Sequence, residues 1–275
     1  MQDLTLPFRW RFALLIPALV VFTAFWLLPV GMLIRISAGE NGFIQTYTAI
    51  LSDSRYLQSL WQTVALSLAV TAATIVLSVI SGLFLTRNEF PGKRIVISML
   101  TLPLAFPGVV VGFMVIMLAG RQGIIGSISQ ELLGHKLVFA YSMAGLFLGY
   151  LYFSIPKIVL SVMAAAESMD ASLEEAAHSL GAGAWAVMRD VTLPALAPSL
   201  IASGAICFAI SIGAFGTAFT LATDINVLPM TIYTEFTLNA NLVTAAALSV
   251  ILGVVTWAIL TLARNFAGTT MMAGG

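Results

Sequence analysis

Charge is what this chain has least of. Of 275 residues only 12 are Lys or Arg and 12 are Asp or Glu, 9% together, against about 25% in an ordinary soluble domain. With so few charges, and 60% of its residues hydrophobic, the chain cannot cover a water-facing surface, which excludes a soluble enzyme and a disordered regulator. The formal net charge is zero, so no basic footprint exists for nucleic acid. Cysteine is almost absent: Cys207 stands alone inside an apolar run, which excludes an intrachain disulfide. Histidine is scarce too, at two residues. What remains is a polytopic membrane protein with a mean hydropathy of +1.01.

Six charge-free apolar runs stand out, at 12–33, 60–85, 95–119, 137–155, 195–222 and 242–262. Each is long enough to cross a hydrocarbon core, which takes about 17–25 residues as a helix. None alternates as a barrel strand would, so all six read as helices. The first is too long for the apolar core of a cleaved leader and reads as a retained span, although Arg9 and Arg11 precede it. If the N-terminus is cytoplasmic, Arg9, Arg11, Arg87, Lys93, Arg94, Lys157, Arg189 and Arg264 lie inside. Only Arg35, Arg55, Arg121 and Lys136 then lie outside, a bias that favours both termini in. Pro17, Pro29, Pro103, Pro107 and Pro198 fall within runs and predict kinks.

The connection at 156–194 is far longer than the usual few residues. Within it, Ser172 and Glu175 have the spacing of a capping box. Gly181 stands where a left-handed residue would end the helix. The spacing predicts a helix of about two turns, too short to be stable without a packing partner. His178 shares a face with Glu175 and reads as a packing or solvated residue.

The same segment carries a resemblance. Glu175-Ala176-Ala177, three residues, Gly181, nine residues, then Val191-Thr192-Leu193-Pro194 resembles the EAA loop of binding-protein-dependent ABC importer permeases. Val191 replaces the family's isoleucine, and every other spacing agrees. The position before the penultimate of six spans fits as well. The resemblance implies an all-α, six-span, N-in/C-in type I ABC importer permease, one domain over 1–275, in a bacterial inner membrane. It implies that Glu174, Glu175, Ala176, Ala177, Gly181, Leu193 and Pro194 couple to an ATPase. The implied partners are a second permease subunit, identical or homologous, two cytoplasmic ABC ATPases, an external solute-binding protein and the bilayer.

No chemistry is expected of the chain itself. Gly92-Lys93 is followed by Arg94 and lacks the upstream glycine of a phosphate-binding loop, so ATP and Mg belong to the partner ATPases. His135 and His178 fall on opposite sides of the membrane and cannot share a metal. The runs hold no charge, unlike the proton relays of secondary carriers. For a solute path the candidates are Ser211, Gly213, Phe215, Gly216, Thr217 and Thr220, weighed equally against close helix packing. Asp224 and Glu235 bound the last outer connection and read as solvated acids. In its loop sequence the chain is similar to permeases for polyamines, iron, thiamine and phosphonates. Leu118-Ala119-Gly120-Arg121-Gln122-Gly123 is similar to molybdate and sulfate permeases. Polyamine ranks first on this pattern, and phosphonate or another oxyanion second. The rivals from other classes are an ATP-independent channel or carrier and a membrane scaffold.

Overall fold

A computed structural model describes residues 8–40, 42–221 and 225–272, with side chains over 15–40, 42–221 and 225–265. Every regular element among them is helical. In chain order they are α1 (Phe8–Phe22), α2 (Leu28–Ser37), α3 (Phe43–Ser52), α4 (Ser54–Arg87), α5 (Lys93–Thr101), α6 (Gly108–Ala119) and α7 (Ile124–Leu133). Then come α8 (Met143–Glu167), α9 (Ala171–Ser179), α10 (Ala184–Val187), α11 (Leu193–Ile212), α12 (Gly216–Leu221), α13 (Leu228–Tyr233) and α14 (Leu242–Met272). Among the described residues, six helical stretches are long and apolar enough to cross a membrane: Leu15–Ser37, Ser54–Arg87, Gly108–Leu133, Met143–Glu167, Ala184–Ile212 and Leu242–Asn265.

The prolines act in three different ways. Pro29 and Pro194 each follow a π-helical turn, Thr23–Leu27 and Met188–Thr192. A proline has no N–H for the carbonyl four residues back. The widened turn redirects the ladder, so Leu28 donates to the Thr23 carbonyl and Leu193 to that of Met188. Pro103 and Pro107 do more than kink their run. They break it into α5, a 3₁₀ turn (Leu102–Ala105) and α6. Pro156, expected to close the fourth span, instead lies buried inside α8, which continues to Glu167. The span therefore carries Lys157, contrary to the expectation of charge-free spans, and the exposed ammonium lies 5.8 Å from the Phe153 ring. The fifth run also breaks, at 213–215, between α11 and α12.

The chain divides into two compact units. One comprises Met1–Leu57 with Thr231–Gly253. Its polar contacts tie short helices together: Ser37 Oγ lies 2.9 Å from the Tyr47 hydroxyl, and Thr46 donates to the Ala38 carbonyl. Glu235 corrects the expectation of a solvated acid, because it is only 7% exposed and accepts from the Tyr56 hydroxyl at 3.0 Å. Asp224 lies outside the described residues.

The other unit comprises Gln58–Met230 with Val254–Gly275. Its core joins Leu66, Val70, Leu146, Tyr150, Leu196 and Leu221. Glycines let helix backbones approach here: a Cβ on Gly82 of α4 would stand 2.7 Å from Val162 of α8, and one on Gly204 of α11 would stand 2.8 Å from Ile75 of α4. Close approach through small residues is how helices gain contact in lipid, where no hydrophobic force separates helix from solvent.

Candidate functional site

The short helix of the long connection is α9, and it is closed at both ends by its own chain. Its N-cap is Asp170, with extended backbone, whose carboxylate accepts from the Ser172 amide at 2.9 Å. This corrects the capping box: Ser172 lies inside the first turn, where its hydroxyl no longer caps. The backbone hydrogen bond from Ser172, then that residue's side chain, hold the Asp170 carboxyl below its usual range. At the other end Gly181 adopts φ +85°. The Ala182 amide donates to the Ala177 carbonyl at 3.0 Å, and that of Gly181 to His178 at 2.9 Å, the paired bonds of a Schellman stop. His178 Nδ1 lies 3.2 Å from the Ala182 carbonyl and fastens the same turn.

Capping by Asp170 leaves Glu175 unused for that purpose, and its side chain is exposed with Ala176. Large apolar side chains of the same connection also stand in the open: Leu173 at 52%, Leu180 at 89% and Trp185 at 75% exposure. Glu174 points the other way. Its Oε1 accepts from Arg87 Nη2, at the end of α4, and from Thr192 Oγ1 at 2.6 Å. Leu193 and Pro194 begin α11 directly after the π turn.

The hydroxyl- and glycine-rich stretch divides between two environments. Thr217 donates to the Gly108 carbonyl at 2.9 Å, and Thr220 reaches the Gly216 and Val109 carbonyls at 3.0 and 3.3 Å. A Cβ on Gly216 would stand 3.1 Å from the Val109 nitrogen. These residues pack α12 against α6. Ser211 is buried and its hydroxyl makes no hydrogen bond. Gly213 differs, being exposed with only the Ala209 carbonyl within 4 Å of a built Cβ. It lines a cavity of about 390 Å³ with Pro103, Phe106, Phe153 and Lys157. Phe215 is half-buried and packs its ring near Phe219. Hydropathy could not reveal this cavity, because it arises from two broken runs meeting.

Among the described residues every element is helical, six stretches are long and apolar enough to cross a membrane, and a twice-capped helix stands just before the fifth, the arrangement expected of an importer's permease subunit. The chain belongs to the binding-protein-dependent transport system inner membrane component family, whose model matches residues 74–268. It is a multi-pass protein of the bacterial inner membrane and is not itself an enzyme.

Among relatives, the molybdenum transport system permease protein ModB of Escherichia coli is 38% identical over 182 residues, 63% of this chain and 79% of that one. The putative 2-aminoethylphosphonate transport system permease protein PhnU of Salmonella typhimurium is 29% identical over 271 residues, 96% of this chain and 93% of that one. Sulfate permease 2 of the Chlamydomonas reinhardtii chloroplast is 34% identical, covering 63% of this chain and 46% of its own. In fold, the chain matches a chain of a bacterial alginate ABC transporter solved with an alginate-bound periplasmic protein. That match has a TM-score of 0.81 and 18% identity and covers 93% of each chain.

Proposed function

We propose that this permease imports a small tetrahedral oxyanion, of the phosphonate, molybdate or sulfate kind. The observation that carries this reading is shared chemistry among the relatives: molybdate, 2-aminoethylphosphonate and sulfate systems all handle such anions. No relative among those described supports the polyamine ranking. The cavity beside Gly213 is in keeping with an anion, since Lys157 is the charged group on its wall. A cation beside a low-dielectric passage raises the local concentration of anions.

In this reading the chain acts as one permease domain with both termini inside. It pairs with a second permease, and two ATPase subunits receive α9 from each side. Glu175, Ala176, Ala177 and the exposed Leu180 and Trp185 form the face that meets the ATPase. ATP-driven closure then rocks the bundles, and a solute-binding protein delivers the anion from outside.

The test is a calorimetric screen of the cognate binding protein against molybdate, sulfate, 2-aminoethylphosphonate and spermidine, followed by ATPase assays of the reconstituted complex. An oxyanion should bind and stimulate hydrolysis. Spermidine binding alone would restore the polyamine reading. Solute movement without ATP would establish a channel or carrier instead.

A further inference from the structure

We infer that Arg87, Glu174 and Thr192 form a strut that carries the movement of α9 into the membrane-spanning helices, and that Glu174 is a positioning residue, not an ATPase contact. The inference rests on the proposed role of α9 as the element that meets the ATPase. It starts from one carboxylate oxygen. Glu174 Oε1 accepts from Arg87 and from Thr192, and Arg87 Nη2 also donates to Thr192 Oγ1 at 3.3 Å. The three side chains close a ring in which the threonine hydroxyl is used once as donor and once as acceptor.

Each member comes from a different element. Arg87 occupies the last turn of α4 and Glu174 the first turn of α9. Each charge thus sits at the helix pole that favours it, and the pair bridges two opposite poles. Thr192 ends the π turn that leads into α11 and is fully buried. With Glu174 three-quarters covered and two partners already on one oxygen, this side chain is committed within its own chain. Glu175, one residue on, is the exposed acid.

The strut is joined to a long rod. From Arg87 back to Thr63, α4 is one unbroken helix, and its 24 residue-to-residue rises of 1.5 Å span about 36 Å, enough to cross the hydrocarbon core. At Thr63 the hydroxyl accepts from the Leu228 amide at 2.7 Å in a buried contact. Between the two ends, Gly82 and Gly204 hold α4 tightly against α8 and α11. A displacement of α9 therefore reaches both α11, through Thr192, and the far end of α4.

The test uses the complete complex of permease, ATPase and binding protein in proteoliposomes. Retention of the ATPase by the solubilised permease is measured separately from stimulation of hydrolysis by loaded binding protein. E174Q, which removes the charge while keeping an acceptor oxygen, and T192V, which removes the hydroxyl, should retain the ATPase as wild type does but lose about tenfold in stimulation, the order of one charge-assisted hydrogen bond. R87E/E174R should recover stimulation that either single change loses, and R87K should keep it where R87M does not, because one cationic nitrogen serves both bonds. E175Q should instead weaken retention. If E174Q weakens retention as E175Q does, and the charge swap recovers nothing, Glu174 acts at the ATPase and the strut is refuted. Full stimulation in both E174Q and R87M would also refute it. If the wild-type complex gives no stimulation at all, the proposed role of α9 fails, a result distinct from either.

Discussion

At the residue scale, Gly181 and Asp170 set the limits of α9 by different physics. Gly181 is needed for its backbone, since φ +85° puts an L-residue in the left-handed region while nothing lies within 4 Å of a built Cβ. Gly181→Ala should therefore cost about 1–2 kcal/mol through backbone strain alone, and Gly181→Asn should cost less because Asn tolerates that region. Gly181→Asp meets open space within its own chain. Beyond the backbone strain it shares with alanine, its defect should show as a loss of the ATPase from the solubilised complex greater than in Gly181→Ala, with normal membrane levels by immunoblot. Normal ATPase retention in Gly181→Asp would mean that α9 does not dock. Asp170 is needed for its charge and its lone pairs. Its folded pKa lies below the ordinary 3.8 because the carboxylate accepts the Ser172 amide. The stabilisation is therefore fully present above the unfolded value and disappears as pH falls through the folded one. Hydrogen-exchange protection at Ser172 should drop in the wild type as acidification carries the pH below 3.8 and through the folded value. Asp170→Asn, which caps without titrating, should not drop, and Asp170→Ala should be unprotected throughout.

At the element scale, two interrupted helices create the cavity, and two glycines of the same stretch serve opposite ends. Gly216 is packing: a side chain there would press on the Val109 nitrogen from 3.1 Å. Gly112, on the facing helix, is tighter still, at 2.5 Å from Thr220. Gly112→Val or Gly216→Val should lower permease stability by about 1–3 kcal/mol through overpacking, seen as a fall in thermal midpoint. Gly213→Val should leave the midpoint unchanged and reduce anion transport, because it narrows the cavity and nothing else. Equal thermal losses at all three would remove the cavity from the solute path. The sequence made the number of spans and the stop at Gly181 legible, since apolar length and a glycine after a short helix are local signals. It did not reveal the breaks at 102–107 and 213–215, because hydropathy is blind to whether a backbone stays helical. Nor did it reveal that Asp170 caps in place of Ser172, as both residue types are good caps and stand two positions apart. Arg87 and Glu174 are 87 residues apart, and no periodicity links such a pair.

At the scale of the whole molecule, the question is which ends of the helices share a side of the membrane. Within the larger unit the ring of Arg87, Glu174 and Thr192 puts the end of α4, the start of α9 and the approach to α11 together. The Thr63 to Leu228 bond joins the opposite end of α4 to the start of α13. Lys93 and Arg94 follow the first group closely, and Arg189 lies in its π turn, so the strongest concentration of positive charge gathers at one end. The geometry fixes this grouping, and the preference of Lys and Arg for cytoplasmic loops predicts that it faces inward. The expected arrangement has α9 inside and the C-terminal end of α7, where the third stretch leaves the membrane, outside. Single cysteines at His178 and Gln130 report on them, since both positions are exposed. The buried Cys207 is first replaced by alanine. A membrane-impermeant maleimide added to intact spheroplasts should label Q130C and leave H178C untouched until the membrane is opened. The reverse pattern would place α9 outside, where no ATPase could reach it. Because Arg87 and Glu174 are in contact, a cysteine at Asn88 must follow the behaviour of His178. Labelling of N88C from outside with H178C protected would contradict the fold itself and not merely its orientation.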